Sequence, residues 1–292
     1  MNNKNPLVSV IIPCYNHESF IQECIQSVID QDYKNIELII IDDGSSDKSI
    51  QEIEKMRSIC EGRFARFEFR YRTNKGLCAT LNEALDWIKG EYTCSLASDD
   101  IWMSKKTSLQ VDYLNRNHNC IGVFGNVTLI DESSHYIRYI NHKPAKFSFE
   151  DILFHDCYLP APTNMCRTAI LKKFSYDQNI KIEDWYMWLK LVEKNGTLDY
   201  ININLAKYRQ HENNTSKQFK EIMDARLEVL KHFKHHKRIN YAKACAYLIA
   251  ANDNLLSNKK ESLSYYMKYL DQNPINFFRL KSLKYLAKYA LI

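Results

Sequence analysis

Two adjacent acids, Asp99 and Asp100, follow the short apolar run YTCSLA (Tyr92–Ala97). Acid pairs at the end of a strand hold divalent cations or nucleotides, because hard oxygen ligands suit Mg²⁺ and Mn²⁺. The position two before Asp99, where a third carboxylate would complete such a site, is Ala97. Two more polar clusters follow apolar runs in the same way. PCYN (Pro13–Asn16) ends LVSVII, and DDGSSD (Asp42–Asp47) ends IELIII. Taken singly, each cluster reads as well as a turn or a helix cap. Together with Ser98, Asp99 and Asp100, they read as a polar ligand site along one edge. No glycine fingerprint follows the first run, and no Walker loop occurs. With seven glycines in the chain, the charge of a phosphate ligand falls to a metal or to cationic side chains.

The elements that position these clusters alternate. LVSVII and IELIII are short, β-branched runs that suit strands buried on both faces, the first expected to stop at Pro13. Between them, Phe20, Ile21, Cys24, Ile25, Val28 and Ile29 form one helical stripe. DKSIQEIEKM reads as a helix with Ser46 or Asp47 as its cap, RFEFRYR as an alternating strand, GLCATLNEALDWI as a third helix and YTCSLA as a fourth strand. This order predicts a mostly parallel central sheet with flanking helices, whose ligands bind at the strands' carboxyl ends. CIGVFGNVTLID reads as another strand, EDWYMWLKLVEKNG as an amphipathic helix closed by Gly196, and TLDYININLAKYRQH as further short strands. Beyond Thr215 no glycine occurs and the pattern is helical, at about 216–236, 241–256, 260–270 and 274 to the end. The expected division is an α/β domain over 1–213 and a helical appendage over 214–292.

Composition bounds the partners. The chain carries a net charge of +5, unevenly placed: residues 215–292 hold 15 Lys/Arg against 6 Asp/Glu. A basic tail can face anionic lipid, and FFRLKSLKYLAKYALI could lie on such a surface with leucines and aromatics down and lysines up. The competing reading is a helix packed on its own domain. No nucleic-acid partner is expected. Apolar runs fall short of a membrane span, and the first residues show no signal-peptide apolar core. Nine cysteines without a C-x-x-C pair suit reduced thiols in a cytoplasmic protein, peripheral at the inner membrane face if the tail docks there.

In order and spacing, VSVIIPCYN, IELIIIDDGSSDKS, NKGLCATLNEAL, GEYTCSLASDDIWMSKK, IEDWYMWLKL and YRQHENNTS resemble the family 2 glycosyltransferases of GT-A fold over residues 6–216. The resemblance implies a nucleotide-sugar donor, usually UDP-linked, a divalent cation (Mn²⁺ or Mg²⁺), and one sugar passed to a surface glycan such as an O-antigen or capsule unit, on a lipid-linked acceptor. Residue by residue, it implies that Pro13, Tyr15 and Asn16 line the nucleoside pocket. Asp42 and Asp43 match the uracil-reading acid, Asn74 and Gly76 the loop beside the nucleotide, and Ser98, Asp99 and Asp100 the ribose and metal motif. Asp184 matches the catalytic base and His211 a residue that helps hold the metal or diphosphate. Glu183 and Trp185 would flank the acceptor. An inverting transfer needs one carboxylate to take a hydroxyl proton, and a helix N-terminus such as that of Asp184 favours its ionised form. No covalent intermediate is required, so the cysteines need no role. Glu183 and Asp184 could also simply cap a helix, and Trp102 and Trp185 could be core residues. Ala97 marks the departure from the family's Asp-x-Asp-Asp string. It leaves open whether Asp99 or Asp100 holds the metal, and it is the one support for the alternative of a nucleotide-sugar-binding module that no longer catalyses.

Overall fold

A computed structural model of the chain describes residues 5–211 and 219–292. The boundary expected at residue 213 and the end of the YRQHENNTS motif lie outside them. The chain folds as two compact units: Met1–Phe149, Tyr158–Gln178 and Met187–His211 form one, and Glu150–Cys157, Asn179–Tyr186 and Glu212–Ile292 the other.

The first unit is built on a sheet. Its parallel block orders β3 (Arg66–Tyr71), β2 (Ile36–Asp42), β1 (Val8–Cys14) and β4 (Tyr92–Ser95). The crossovers are α1 (Ile21–Ile29), α2 (Ser49–Arg63) and α3 (Leu77–Trp87). Every residue of β2 is buried, as a strand covered on both faces must be. Asp47 caps α2 one residue early, Oδ1 accepting the Ser49 N–H at 2.9 Å. Pro13 does not stop β1; it pairs with Ile41 and the strand runs on to Cys14. The ladder between β1 and β4 ends at Ile11–Ser95. The missing Pro13 N–H therefore falls beyond that ladder and costs no bond.

Past β4 the sheet continues through β9 (Met165–Arg167), β6 (Cys120–Ile130), β10 (Thr197–Arg209) and β5 (Ile101–Trp102). β7 (Tyr136–Ile140) pairs with β6, and β8 (Ala145–Phe147) with β10. β10 corrects an expectation. It is one strand of 13 residues, parallel to β6, with register shifts between Ile201 and Asn204 and between Asn204 and Ala206. Those irregularities, at polar Asn202 and Asn204, are what made it read as several short strands. Between β5 and β6 lies α4 (Lys106–Arg116), and after β8 come two short helices, α5 (Phe149–Leu153) and α6 (Thr168–Leu171). α7 (Glu183–Val192) then precedes β10.

The second unit is helical: α8 (Phe219–His232), α9 (Ile239–Asp253), α10 (Lys259–Gln272) and α11 (Leu280–Leu291). Beyond the expected tail it takes in Glu150–Cys157 and Asn179–Tyr186. The nine cysteines are all free thiols, eight of them buried. No helix among the described residues is long and apolar enough to cross a membrane.

Candidate active site

The strand ends converge because their loops are hydrogen-bonded to one another. After β1, Asn16 adopts a left-handed φ of 53°, a conformation asparagine tolerates better than most residues. Its N–H donates to Ser45 Oγ at 2.8 Å, and its Oδ1 accepts the Ser46 N–H at 2.8 Å. The His17 and Glu18 N–H groups donate to Ser49 Oγ and Asp47 Oδ2, each at 2.9 Å. Asp42, fully buried, folds the turn after β2 by accepting from the Gly44 and Ser45 N–H groups at 3.1 and 2.8 Å. Gly44 has φ 79°, and a Cβ there would lie 2.6 Å from the Asn74 backbone nitrogen. Only glycine lets the Asn74 loop approach so closely.

Asp43 fastens that loop. Its carboxylate accepts the Lys75 and Gly76 N–H groups at 2.9 and 2.8 Å and binds the Arg72 guanidinium. Tyr15, Asn16, Asp42, Asp43, Asn74 and Gly76 are thereby gathered at the carboxyl ends of β1 and β2, with the Tyr15 ring 49% exposed beside them. Pro13 is half-buried within β1.

The segment after β4 is both a turn and a cluster of ligands. The Asp100 N–H donates to Ala97 O at 3.0 Å, which reverses the chain. Asp99 Oδ2 then lies 2.8 Å from His211 Nε2, and Ser98 Oγ lies 2.7 Å from His17 Nδ1. Ligand atoms of His17, Asp99 and His211 all fall within 4.8 Å of one another. Phe20 stacks on the His211 ring, centroids 5.8 Å apart. Burial holds the His17 imidazole below its usual range, so it stays neutral and able to ligate.

Asp100 goes elsewhere. Oδ1 accepts the Arg209 N–H at 2.9 Å. Burial, and then the charge of Asp99, push its carboxyl well above the usual carboxylate range. Asp99, not Asp100, is the acid grouped with His17 and His211 in a cluster that could hold a cation. Sequence reasoning missed His17, whose position carries no strand-end acid signal; its link to Ser98 spans 81 residues.

It also missed Arg209. This side chain is 1% exposed and reaches Asp99 O at 2.8 Å, Asp131 O and Glu132 O at 3.0 Å each, and Glu23 Oε2 at 2.7 Å. Replacing Arg209 with methionine removes these bonds and leaves the carbonyl of buried Asp99 without its guanidinium partner. It is expected to cost about 1–3 kcal/mol, read as a lowered urea midpoint. A midpoint equal to that of the unaltered chain would show that Arg209 does not hold the Asp99–Asp100 turn.

In the helical unit, α7 opens with Glu183 and Asp184, both half-buried. Asp184 Oδ1 accepts the Trp185 N–H at 2.6 Å. Burial, then the neighbouring Asp184, push Glu183 up to about 8, and burial raises Asp184 as well. Trp185 is no open platform. Its ring is 6% exposed, stacks on His155 at 4.2 Å, and donates Nε1–H to Ile152 O at 3.0 Å. Trp102 is likewise core, with Nε1–H donating to Pro162 O at 2.8 Å and Lys106 Nζ 3.8 Å over its ring. Both indoles found partners inside, which is where a large apolar ring is most stable.

Comparison with known proteins agrees with this geometry. Residues 9–179 match the family described as Glycosyl transferase family 2. The UDP-Glc:alpha-D-GlcNAc-diphosphoundecaprenol beta-1,3-glucosyltransferase WfgD of Escherichia coli is 32% identical over 222 residues, covering 74% of this chain and 82% of its own. The putative teichuronic acid biosynthesis glycosyltransferase TuaG of Bacillus subtilis is 30% identical over 222 residues, 74% of this chain and 84% of its own. Among solved structures, S. aureus TarS 1-349 in complex with UDP-GlcNAc superposes with a TM-score of 0.64 at 17% identity, over 97% of this chain and 90% of that one. The mannosyltransferase PcManGT from Pyrobaculum calidifontis, in complex with GDP-Man and Mn²⁺, gives 0.62 at 12% identity, over 99% and 87%. These neighbours share the mostly parallel sheet that the alternating elements predict and the GT-A fold that the resemblance implies. With stitched strand-end loops, a histidine–aspartate cluster beside them and a family match over more than half its length, the chain belongs to glycosyltransferase family 2.

Proposed function

We propose that this glycosyltransferase is inverting and metal-dependent, and that it moves one sugar from a UDP-sugar to a hydroxyl of a lipid-linked surface glycan at the cytoplasmic face of the membrane. The observation that carries the reading is the cluster of His17, Asp99 and His211 at the strand ends that hold Tyr15, Asn16 and Asp43. Two imidazoles and one carboxylate fit Mn²⁺ better than Mg²⁺, which prefers oxygen ligands alone. A cation held there would act as a Lewis acid on the charge of the departing diphosphate. The UDP-Glc and diphosphoundecaprenol in the name of WfgD, and the UDP-GlcNAc bound to TarS, support the donor and acceptor classes. Asp184, with Oδ1 engaged by the Trp185 N–H, offers its other oxygen to the acceptor hydroxyl as general base.

The deciding experiment is a UDP-release screen over a panel of UDP-sugars, with Mn²⁺ and with chelator. One donor should release UDP only with Mn²⁺, and the product should carry the inverted anomeric configuration by NMR. UDP binding by calorimetry without turnover on any donor or acceptor would leave a binding module instead.

The acid pair adds a pH dependence. Like charges on neighbouring residues hold one proton between Glu183 and Asp184 near neutrality. Burial raises the Asp184 carboxyl, so the ionised base accumulates only above the ordinary carboxylate range, and kcat/KM should climb with pH through that raised limb. Glu183→Gln removes the acid whose titration is linked to that of Asp184 and should move that acid limb down. An unmoved limb would separate Glu183 from the base.

A further inference from the structure

The last segment of the helical unit presents two faces with different chemistry. On α11, Ser282 and Tyr285 turn inward. The Tyr285 ring stacks on Tyr266 at 4.5 Å, Ser282 Oγ lies 2.6 Å from Tyr266 OH, and Tyr285 OH lies 2.8 Å from Ser262 Oγ. This face is fixed on α10, so the aromatics of α11 do not all point outward as the sequence suggested. At about 3.6 residues per turn, the opposite ridge carries Leu280, Leu283, Ala287 and Leu291, with Lys284 and Lys288 along one flank. The apolar members of that ridge are bare: Leu280 is 67% exposed and Leu291 87%. The turn before it, Pro274–Phe278, adds Ile275, Phe277 and Phe278, the last 77% exposed.

We propose that this ridge docks the enzyme on an anionic lipid bilayer, with Phe278, Leu280 and Leu283 entering the headgroup boundary and Lys284 and Lys288 on the lipid phosphates. Exposed aromatic and aliphatic side chains on a continuous stripe are costly in water and are the pattern of interfacial helices. Charge selects the occupant. Residues 274–292 hold four cations, Arg279, Lys281, Lys284 and Lys288, and no acid. Lys281 is bound to Asp156 and Arg279 stacks over Tyr241 at 4.3 Å, so Lys284 and Lys288 are the cations to test. The surface lies wholly within the helical unit and involves none of the residues assigned to donor, metal or base. It goes beyond the proposed reaction and does not depend on it.

The test is flotation of the full chain with vesicles of phosphatidylglycerol and phosphatidylcholine, against vesicles of phosphatidylcholine alone. The unaltered chain should float with the anionic vesicles only, and less so as salt is raised. Lys284→Gln with Lys288→Gln should weaken partitioning by about 30-fold, two cations at about 1 kcal/mol each. Phe278→Ser, Leu280→Ser and Leu283→Ser together should abolish flotation. Circular dichroism and UDP release from the donor found in the screen keep a docking loss distinct from misfolding or from failure of the proposed reaction. The proposal is overturned if the unaltered chain stays with the buffer, or if the serine variant floats as before. It is overturned equally if that variant only converts a dimer to a monomer in solution, which would make the ridge a self-interface.

Discussion

Replacing Asp184 with asparagine is expected to lower kcat by about 10²- to 10⁴-fold, the usual contribution of a positioned general base. Asparagine keeps the volume of the side chain and an oxygen for the Trp185 N–H, which Asp184 Oδ1 accepts at 2.6 Å. What it loses is the ability to take a proton. UDP affinity should stay unchanged, since the residues assigned to the nucleotide lie in the sheet unit. Stability should move the other way from activity. Burial raises the Asp184 carboxyl above its usual range. As pH rises past the ordinary carboxylate value, the unfolded chain ionises there while the folded chain still holds its proton. The wild-type residue therefore loses stability with rising pH. The asparagine variant should melt higher than the unaltered chain at mildly alkaline pH and no differently in acid, below both values. A variant with undiminished kcat ends the assignment of Asp184 as base; one that melts lower at every pH would attribute the loss to folding.

The second large effect is on the cation. Asp99→Ala and His211→Ala should each weaken Mn²⁺ binding by more than the roughly 10- to 100-fold that loss of an outer-shell partner costs. The free Mn²⁺ signal in electron paramagnetic resonance reads this without turnover. His17→Ala tests the donor that stands in for the carboxylate missing at Ala97, and should weaken binding in the same sense. Asp100→Asn is the contrasting case. It keeps an oxygen for the Arg209 N–H, which Asp100 Oδ1 accepts at 2.9 Å, and should leave Mn²⁺ affinity intact. If Asp100→Asn loses the ion while Asp99→Ala keeps it, the two acids have been given each other's roles.

The local part of this architecture was legible in the chain. Short runs rich in β-branched residues suit strands covered on both faces, which is what β1 and β2 are. The stripe from Ile21 to Ile29 could only be a helix laid on them. The three polar clusters lie at the carboxyl ends of the strands, the edge where open parallel sheets bind ligands in general. What stayed hidden depends on distance along the chain. His17 meets Ser98 and His211 across turns whose geometry no periodicity encodes. Arg209 reads as one more strand residue, yet its guanidinium lies on three carbonyls from two other segments. The indole of Trp185 could have been an open platform or core, and His155, 30 residues earlier, decides it. For the same reason, nothing local announced that Glu150–Cys157 and Asn179–Tyr186 join the helical unit.

The irregular middle of β10 has a consequence for how the cluster is addressed. Side chains alternate faces along a strand, so whatever follows an extra residue changes sides. The register shifts between Ile201 and Ala206 set the phase for everything downstream, including Arg209 under the Asp99–Asp100 turn and His211 beside Asp99. Removing one residue there, Ile203 for example, would present Gln210 and Glu212 to positions now held by Arg209 and His211. The identity of those two residues is thus only half of the instruction. The other half is a count, kept by the irregular middle of one strand.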